Sequence, residues 1–138
     1  MAAKFFCVLI GLVVSVAAGQ SNFTETCHGI ELLSDSLSHT SQLKATCSNE
    51  MIEGGQSHES TIDLNLCVGI DQTNGQLVWS IYGKYTLYCS NCSLAEPALL
   101  SCACKPLTQG DARSTTLDLD DGIGNESGVL SCIGGIGS

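Results

Sequence analysis

From Ser60 the chain reads STIDLN and from Thr115 it reads TTLDLD, apolar and polar positions alternating in both. A period of two puts successive side chains on opposite faces of a strand. Ile62 and Leu64 therefore share one face, with Asp63 and Asn65 on the other, and Leu117 and Leu119 repeat this against Asp118 and Asp120. Similar short alternations, separated by Gly, Asn, Asp and Ser clusters, recur through residues 20–132, and no segment holds a helical period. The pattern predicts an all-β chain.

The alternations also recur in a fixed order. FTETC (Phe23–Cys27) parallels YTLYC (Tyr85–Cys89), and LKATC (Leu43–Cys47) parallels LSCAC (Leu100–Cys104). The Leu-Asp-Leu clause follows in each half, and then a glycine turn into GQLVW at Gly75 or GVLSC at Gly128. Such internal repetition marks one structural unit used twice. The reading is a single domain over 20–132, made of repeats 20–80 and 81–132, with 133–138 expected as a flexible tail.

The region before this domain reads differently. Lys4, the apolar run FFCVLIGLVVSV and the ending Ala17-Ala18-Gly19 have the layout of a secretory signal peptide over 1–19, cleaved before Gln20. The run is shorter than the roughly 20 residues of a spanning helix, so the expected product is secreted and extracellular, with no membrane insertion. Losing Cys7 and Lys4 takes nine cysteines to eight and the formal charge from −9 to −10. Lys44, Lys84, Lys105 and Arg113 are then the only lysines and arginines, and along the sequence they look scattered. Nucleic acid as a partner is excluded, because counterion release needs a basic surface.

An even, dense cysteine set in an oxidising compartment is a disulfide framework. Equivalent cysteines of the two repeats should pair equivalently, Cys27 with Cys47 and Cys89 with Cys104, each closure contributing about 3 kcal/mol. Cys92 and Cys102 lie inside the second loop and form the natural third pair. Cys67 and Cys132 remain, one from each half, where the other half has Gly122 and Trp79. A bridge between them would lock the halves together, but sequence alone leaves the pairing of these last four cysteines open. A four-cysteine zinc site from CSNC and CAC would need thiolates that survive secretion and would leave the first-half pair unexplained. No metal is expected.

Taken together, FTETC, LKATC, STIDLN and NGQLVW, then YTLYC, LSCAC, TTLDLDDGIGNESG and VLSC, resemble the cyanovirin-N homology family over nearly all of residues 20–132. The extra cysteines of CSNC and CAC look like those of its secreted, cysteine-rich fungal branch. The resemblance implies a cyanovirin-N-like pseudo-symmetric two-repeat fold, each lobe a three-stranded sheet plus a β-hairpin, disulfide-stapled, with strands exchanged between repeats. It also implies a lectin for mannose-rich glycans with no cofactor, its partners mannose-type oligosaccharides or glycoproteins, and a monomer or a repeat-exchanged dimer.

Carried over by residue, the first-lobe sugar site implied by the resemblance comprises Asn22, Glu25, Thr26, Ser48, Asn49, Glu50, Asn125, Glu126 and Ser127. Thr26 and Asn125 match the family's residue types, and the others are polar substitutions. Adjacent sugar hydroxyls suit such a set, because carboxylates and amides bind them in pairs. In the second lobe Lys84, Leu87, Tyr88, Lys105, Pro106 and Leu107 stand at the corresponding positions, and the loop from Gly69 to Thr73 is lengthened. Lys105 is the clearest match, but Leu87 is apolar and Pro106 removes a backbone donor. This site, centred on Lys84 and Lys105, is expected to be weak or lost.

Three sequons, at Asn22, Asn91 and Asn125, mark glycosylation acceptors in a secreted chain. His28, His39 and His58 lack metal-ligand spacing and read as exposed loop residues. The LDLDDGIGNE run from Leu117 places Gly122 where a calcium ligand is needed. Trp79 reads as packing at the junction of the repeats. No catalytic constellation is present, so an enzyme is not expected. The alternative to a lectin is a secreted fungal effector or structural protein that keeps the scaffold without sugar binding.

Overall fold

The computed structural model describes residues 21–34, 41–49, 55–107 and 110–138. The signal-peptide reading, His39 and Glu50 lie outside the described residues. Eleven strands are described: β1 (Cys27–Leu33), β2 (Gln42–Ser48), β3 (Ser57–Asp63), β4 (Val68–Ile70), β5 (Leu77–Trp79), β6 (Cys89–Ala95), β7 (Leu99–Cys104), β8 (Arg113–Asp118), β9 (Gly124–Glu126), β10 (Val129–Cys132) and β11 (Gly135–Ile136). They form antiparallel sheets β1-β2-β3 and β6-β7-β8, a hairpin β4-β5, and a small sheet β11-β10-β9. The chain is all-β with two matching halves, as its alternation predicts.

The repeats exchange hairpins. Leu130 N–H, on β10, donates to Ser60 Oγ on β3 at 2.9 Å, and Leu77 N–H, on β5, donates to Thr115 Oγ1 on β8 at 3.0 Å. The second repeat's hairpin thus closes the first sheet, and the first repeat's hairpin closes the second. Leu43, Leu64 and Leu130, with their counterparts Leu100, Leu119 and Leu77, are buried, as are Ile62 and the aromatics Phe23 and Tyr85 that lead the two repeats. Burial of these apolar side chains drives the closure of each lobe.

The doubled clause differs from the expected strand in one respect. Each strand stops at its aspartate, and Leu64–Leu66 and Leu119–Asp121 turn as short 3-10 helices. Asp63 accepts from Asn65 N–H at 2.9 Å, and Asp118 from Asp120 N–H at 3.0 Å, the local bonds by which Asp competes with strand pairing. Asn65 and Asp120, expected on an open outer face, instead reach across to the other repeat. Asn65 Nδ2 donates to Thr86 Oγ1 at 2.8 Å and Oδ1 accepts Thr86 N–H at 3.1 Å. Thr24 donates through N–H (3.0 Å) and Oγ1 to the Asp120 carboxylate. These carboxylates hold protein partners.

Four bridges are present, Cys27–Cys47 and Cys89–Cys104 at equivalent places in the two repeats, and Cys92–Cys102 and Cys67–Cys132 among the four cysteines whose pairing the sequence leaves open. The Cys89, Cys102 and Cys104 sulfurs lie within 4.8 Å of one another, but each is spent in a disulfide, and no thiolate set is left for zinc. Cys67–Cys132 joins a turn of repeat one to β10 of repeat two. At the pseudo-symmetric position a Cβ on Gly122 would fall 2.6 Å from the Trp79 ring. One half is held at this point by a disulfide and the other by a tryptophan lying against a glycine. Residues 133–138, expected as a flexible tail, are instead paired: β11 lies beside β10, and Ser138 exchanges backbone bonds with Thr61 at 3.0 Å each. Their Gly-rich composition suggested a free end because it could not show the backbone partners waiting on β3 and β10.

Candidate functional site

At the end of the first lobe, the 3-10 turn Phe23–Glu25 delivers Thr26 beside the end of β2, where Ser48 N–H donates to Thr26 C=O at 3.0 Å. The hairpin β9-β10 arrives from the other repeat. Its two-residue turn, Ser127-Gly128, has positive φ at both positions (52° and 93°), the backbone that matches strand twist in a tight hairpin and favours glycine.

Asn125, on β9, joins these pieces. Its Nδ2 donates to Thr26 Oγ1 and to Ser48 C=O, both at 2.9 Å, and its Oδ1 accepts Gly128 N–H at 2.7 Å. Both amide protons and the carbonyl are therefore committed within the protein. Thr26, Ser48 and Asn125 form a half-buried floor, with Asn49 half-buried alongside. Asn22, Glu25, Glu126 and Ser127 are exposed around them, and Asn22 takes a left-handed backbone (φ 62°) with no side-chain capping bond. The geometry thus brings together the first-lobe residues expected from the sequence, except Glu50, which is outside the described residues. It gives Asn125 a clamping role that the sequence reading had assigned to ligand contact.

His58 was missed as a member of this group. It stands opposite Cys47 in the β2-β3 register, and a Cβ on Gly128 would lie 2.9 Å from its ring and 3.4 Å from Asn49 Cβ. The exposed imidazole borders the turn at the end of a strand, whereas the sequence reading placed it in a loop. The signal was available: counting back by twos from Ile62 through Ser60 puts His58 on the same face of the strand, at its exposed end.

The second lobe builds the same scaffold with different chemistry. Lys84 repeats the left-handed backbone of Asn22 (φ 51°), and Lys105 N–H donates to Tyr88 C=O at 2.9 Å, as Ser48 does to Thr26. Ile70, paired with Leu77, occupies the position that Asn125, paired with Leu130, holds in the first lobe. The polar clamp is replaced by Ile70, Tyr88 and Lys105. Pro106 packs 3.2 Å from where a Cβ on Gly75 would be, and Leu107 N–H donates to Gln72 Oε1 at 3.0 Å, so the lengthened loop lies across this end.

Two open clefts, about 510 and 340 Å³, lie along the seam between β1 and β6, one lined by Thr24, Cys27, Gly29, Ile30, Glu96 and Pro97, the other including Ile30, Cys92 and Leu94. Neither is lined by Thr26, Ser48 or Asn125, nor by their second-lobe counterparts Tyr88, Lys105 and Ile70.

Comparison with known proteins gives a consistent result. A family model described as the CVNH domain matches residues 23–131. No curated protein matches the sequence. Among solved structures, the NMR structure of GzCVNH from Gibberella zeae is 29% identical, with 81% of this chain and 97% of that chain covered and a TM-score of 0.66. The crystal structure of a MoCVNH3 variant (Mo0v) in complex with (N-GlcNAc)4 is 18% identical, with the same coverage and a TM-score of 0.68.

Proposed function

The chain belongs to the CVNH domain family, and from that premise we propose that it is a carbohydrate-binding protein whose first-lobe end recognises mannose-rich glycans without chemistry. The observation that carries this reading is the Asn125 clamp, which fixes Thr26, Ser48 and the Ser127-Gly128 turn as one floor. Around it Glu25 and Glu126 offer carboxylate oxygens in pairs for vicinal hydroxyls. The second-lobe end, with Ile70 in place of the clamp, contributes little sugar binding. One site per chain gives modest affinity, and avidity would come from clustered glycans.

The disulfide-rich fold is consistent with a secreted protein. A signal peptide over 1–19, a fungal origin and a monomer or repeat-exchanged dimer belong to the same proposal. Of the three sequons, Asn22 and Asn91 are exposed and are the proposed acceptors. Asn125 is not, because a glycan would replace one of two amide hydrogens already donated.

The test is calorimetric titration of the unglycosylated protein with an α1,2-linked mannose disaccharide and, separately, with the N-acetylglucosamine tetramer named for the MoCVNH3 variant. Mannose binding that falls on Glu25→Ala or Glu126→Ala supports the reading. Binding of the tetramer alone replaces mannose as the ligand. Silence with both favours the second reading, a secreted effector or structural protein, which the substituted second lobe already suits.

A further inference from the structure

Along the sequence, the cations left after signal-peptide removal look scattered. In the fold, three of these four meet at the second-lobe end. Lys84 precedes the turn Tyr85–Leu87, Lys105 is bonded to Tyr88 at the far end of that turn, and Arg113 stands opposite Cys104 in the β7-β8 register, next to Lys105. The fourth, Lys44, pairs with Glu31 at 3.1 Å and Glu59 at 3.9 Å. Among the described residues no ion pair engages Lys84, Lys105 or Arg113, and all three are exposed. In a chain of formal charge −9, three unpaired cations at one place are a local inversion of sign.

The same end carries exposed apolar groups. Leu87 is 71% exposed, Leu107 79% and Tyr82 63%, among the most exposed large apolar side chains of the protein. At the equivalent first-lobe positions stand Asn22, Glu25, Ser48 and His58, a polar and acidic set. Asp71 carries the opposite sign: its carboxylate accepts from Thr73 Oγ1 and N–H, which hold it below the usual carboxylate range and so in its charged form, and it subtracts one charge from this patch. Asp111 is exposed before β8, and half-buried Asp63 faces Tyr85 from behind this surface; counted on the outer surface, three cations stand against Asp71 and Asp111.

We propose that the second-lobe end is a docking surface for an acidic polypeptide segment bearing apolar side chains, with Lys84, Lys105 and Arg113 meeting its carboxylates and Tyr82, Leu87 and Leu107 its apolar groups. Charge complementarity selects an anionic partner and suppresses others. The exposed leucines decide between anionic partners: a saccharide has little to cover them, whereas a peptide side chain removes them from water. The surface is separate from the first-lobe floor and does not depend on sugar binding there.

The experiment is fluorescence anisotropy with a labelled peptide of repeated Asp-Asp-Leu units at an ionic strength of about 0.02 M and again at about 0.3 M. A sulfated oligosaccharide is titrated in parallel. The expected result is saturable peptide binding that weakens at the higher salt, falls about tenfold or more in the double variant Lys105→Glu/Arg113→Glu, and falls again in Leu87→Asp. Thermal melts of the variants check that the fold is kept. No saturable binding by about 1 mM peptide, or binding indifferent to these substitutions, overturns the proposal. Binding of the sulfated oligosaccharide without the peptide also overturns it, in favour of an anionic glycan.

Discussion

Replacing Asn125 by alanine removes three hydrogen bonds at once: those to Thr26 Oγ1 and Ser48 C=O, and the one accepted from Gly128 N–H. Each such bond contributes roughly 1 kcal/mol net, and an acceptor or donor left without a partner in a half-buried site adds to the loss. The expected cost is about 2–3 kcal/mol, partly relieved by water entering the gap. For a domain of this size that lowers Tm by roughly 10 °C. Differential scanning calorimetry of wild type and Asn125→Ala, with the four bridges confirmed by mass, measures it directly. The clamp also aligns the floor, so sugar binding should fall with stability, and a loss of binding in this variant alone does not place Asn125 against the ligand. A variant that melts within about 1 °C of wild type, less than a 0.5 kcal/mol effect, would refute the claim that Asn125 holds this lobe together.

Other consequences follow from the same contacts. Removing Cys67–Cys132 by paired serine substitution reopens a separation of 65 residues and should cost about 4 kcal/mol, against about 3 for Cys92–Cys102, separated by 10; denaturant midpoints rank the two. Gly122→Ala drives a methyl against the Trp79 ring and should cost about 1–3 kcal/mol, with a shift in the emission of the single tryptophan as its signature. Burial, with the Asp63 charge a smaller cause, pushes the Tyr85 phenol well above its ordinary range. Because the folded state holds this proton more tightly, its contribution is complete below about pH 10 and stability declines as pH rises above that. Alkaline titration should show phenolate absorbance from Tyr85 only with unfolding. Peptide mapping after enzymatic deglycosylation should find Asn125 unmodified in the folded protein, with Asn22 and Asn91 as the marked positions.

The sequence exposed those features that repeat. The doubled clause, the aromatic-to-cysteine spacing and the equivalence of Cys27–Cys47 with Cys89–Cys104 all follow from one unit used twice, and the fold bears them out. Features that depend on what crosses between the repeats were harder to read. Leu64 and Leu119 are buried whether the chain continues as a strand or turns, so alternation alone could not reveal the 3-10 turns, although Asp63 and Asp118 are the capping residues that signal them. Asn65 and Asp120 looked like solvent-facing positions because their partners, Thr86 and Thr24, lie in the opposite repeat. The three second-lobe cations are far apart in sequence and become one patch only when β7, β8 and the Tyr85–Leu87 turn are assembled. Asn125 was found from the resemblance, but its clamping role needed the exchanged hairpin to be in place.

The central proposal is that the first-lobe end binds sugar and the second-lobe end contributes little. Its most direct test is a backbone NMR titration of the unglycosylated, fully bridged protein with the α1,2-linked mannose disaccharide. Saturable shifts at Glu25, Thr26, Asn49 and Glu126, with Tyr88 and Lys105 silent, are the predicted result. An unchanged spectrum at millimolar sugar, or shifts confined to the second lobe, would contradict it.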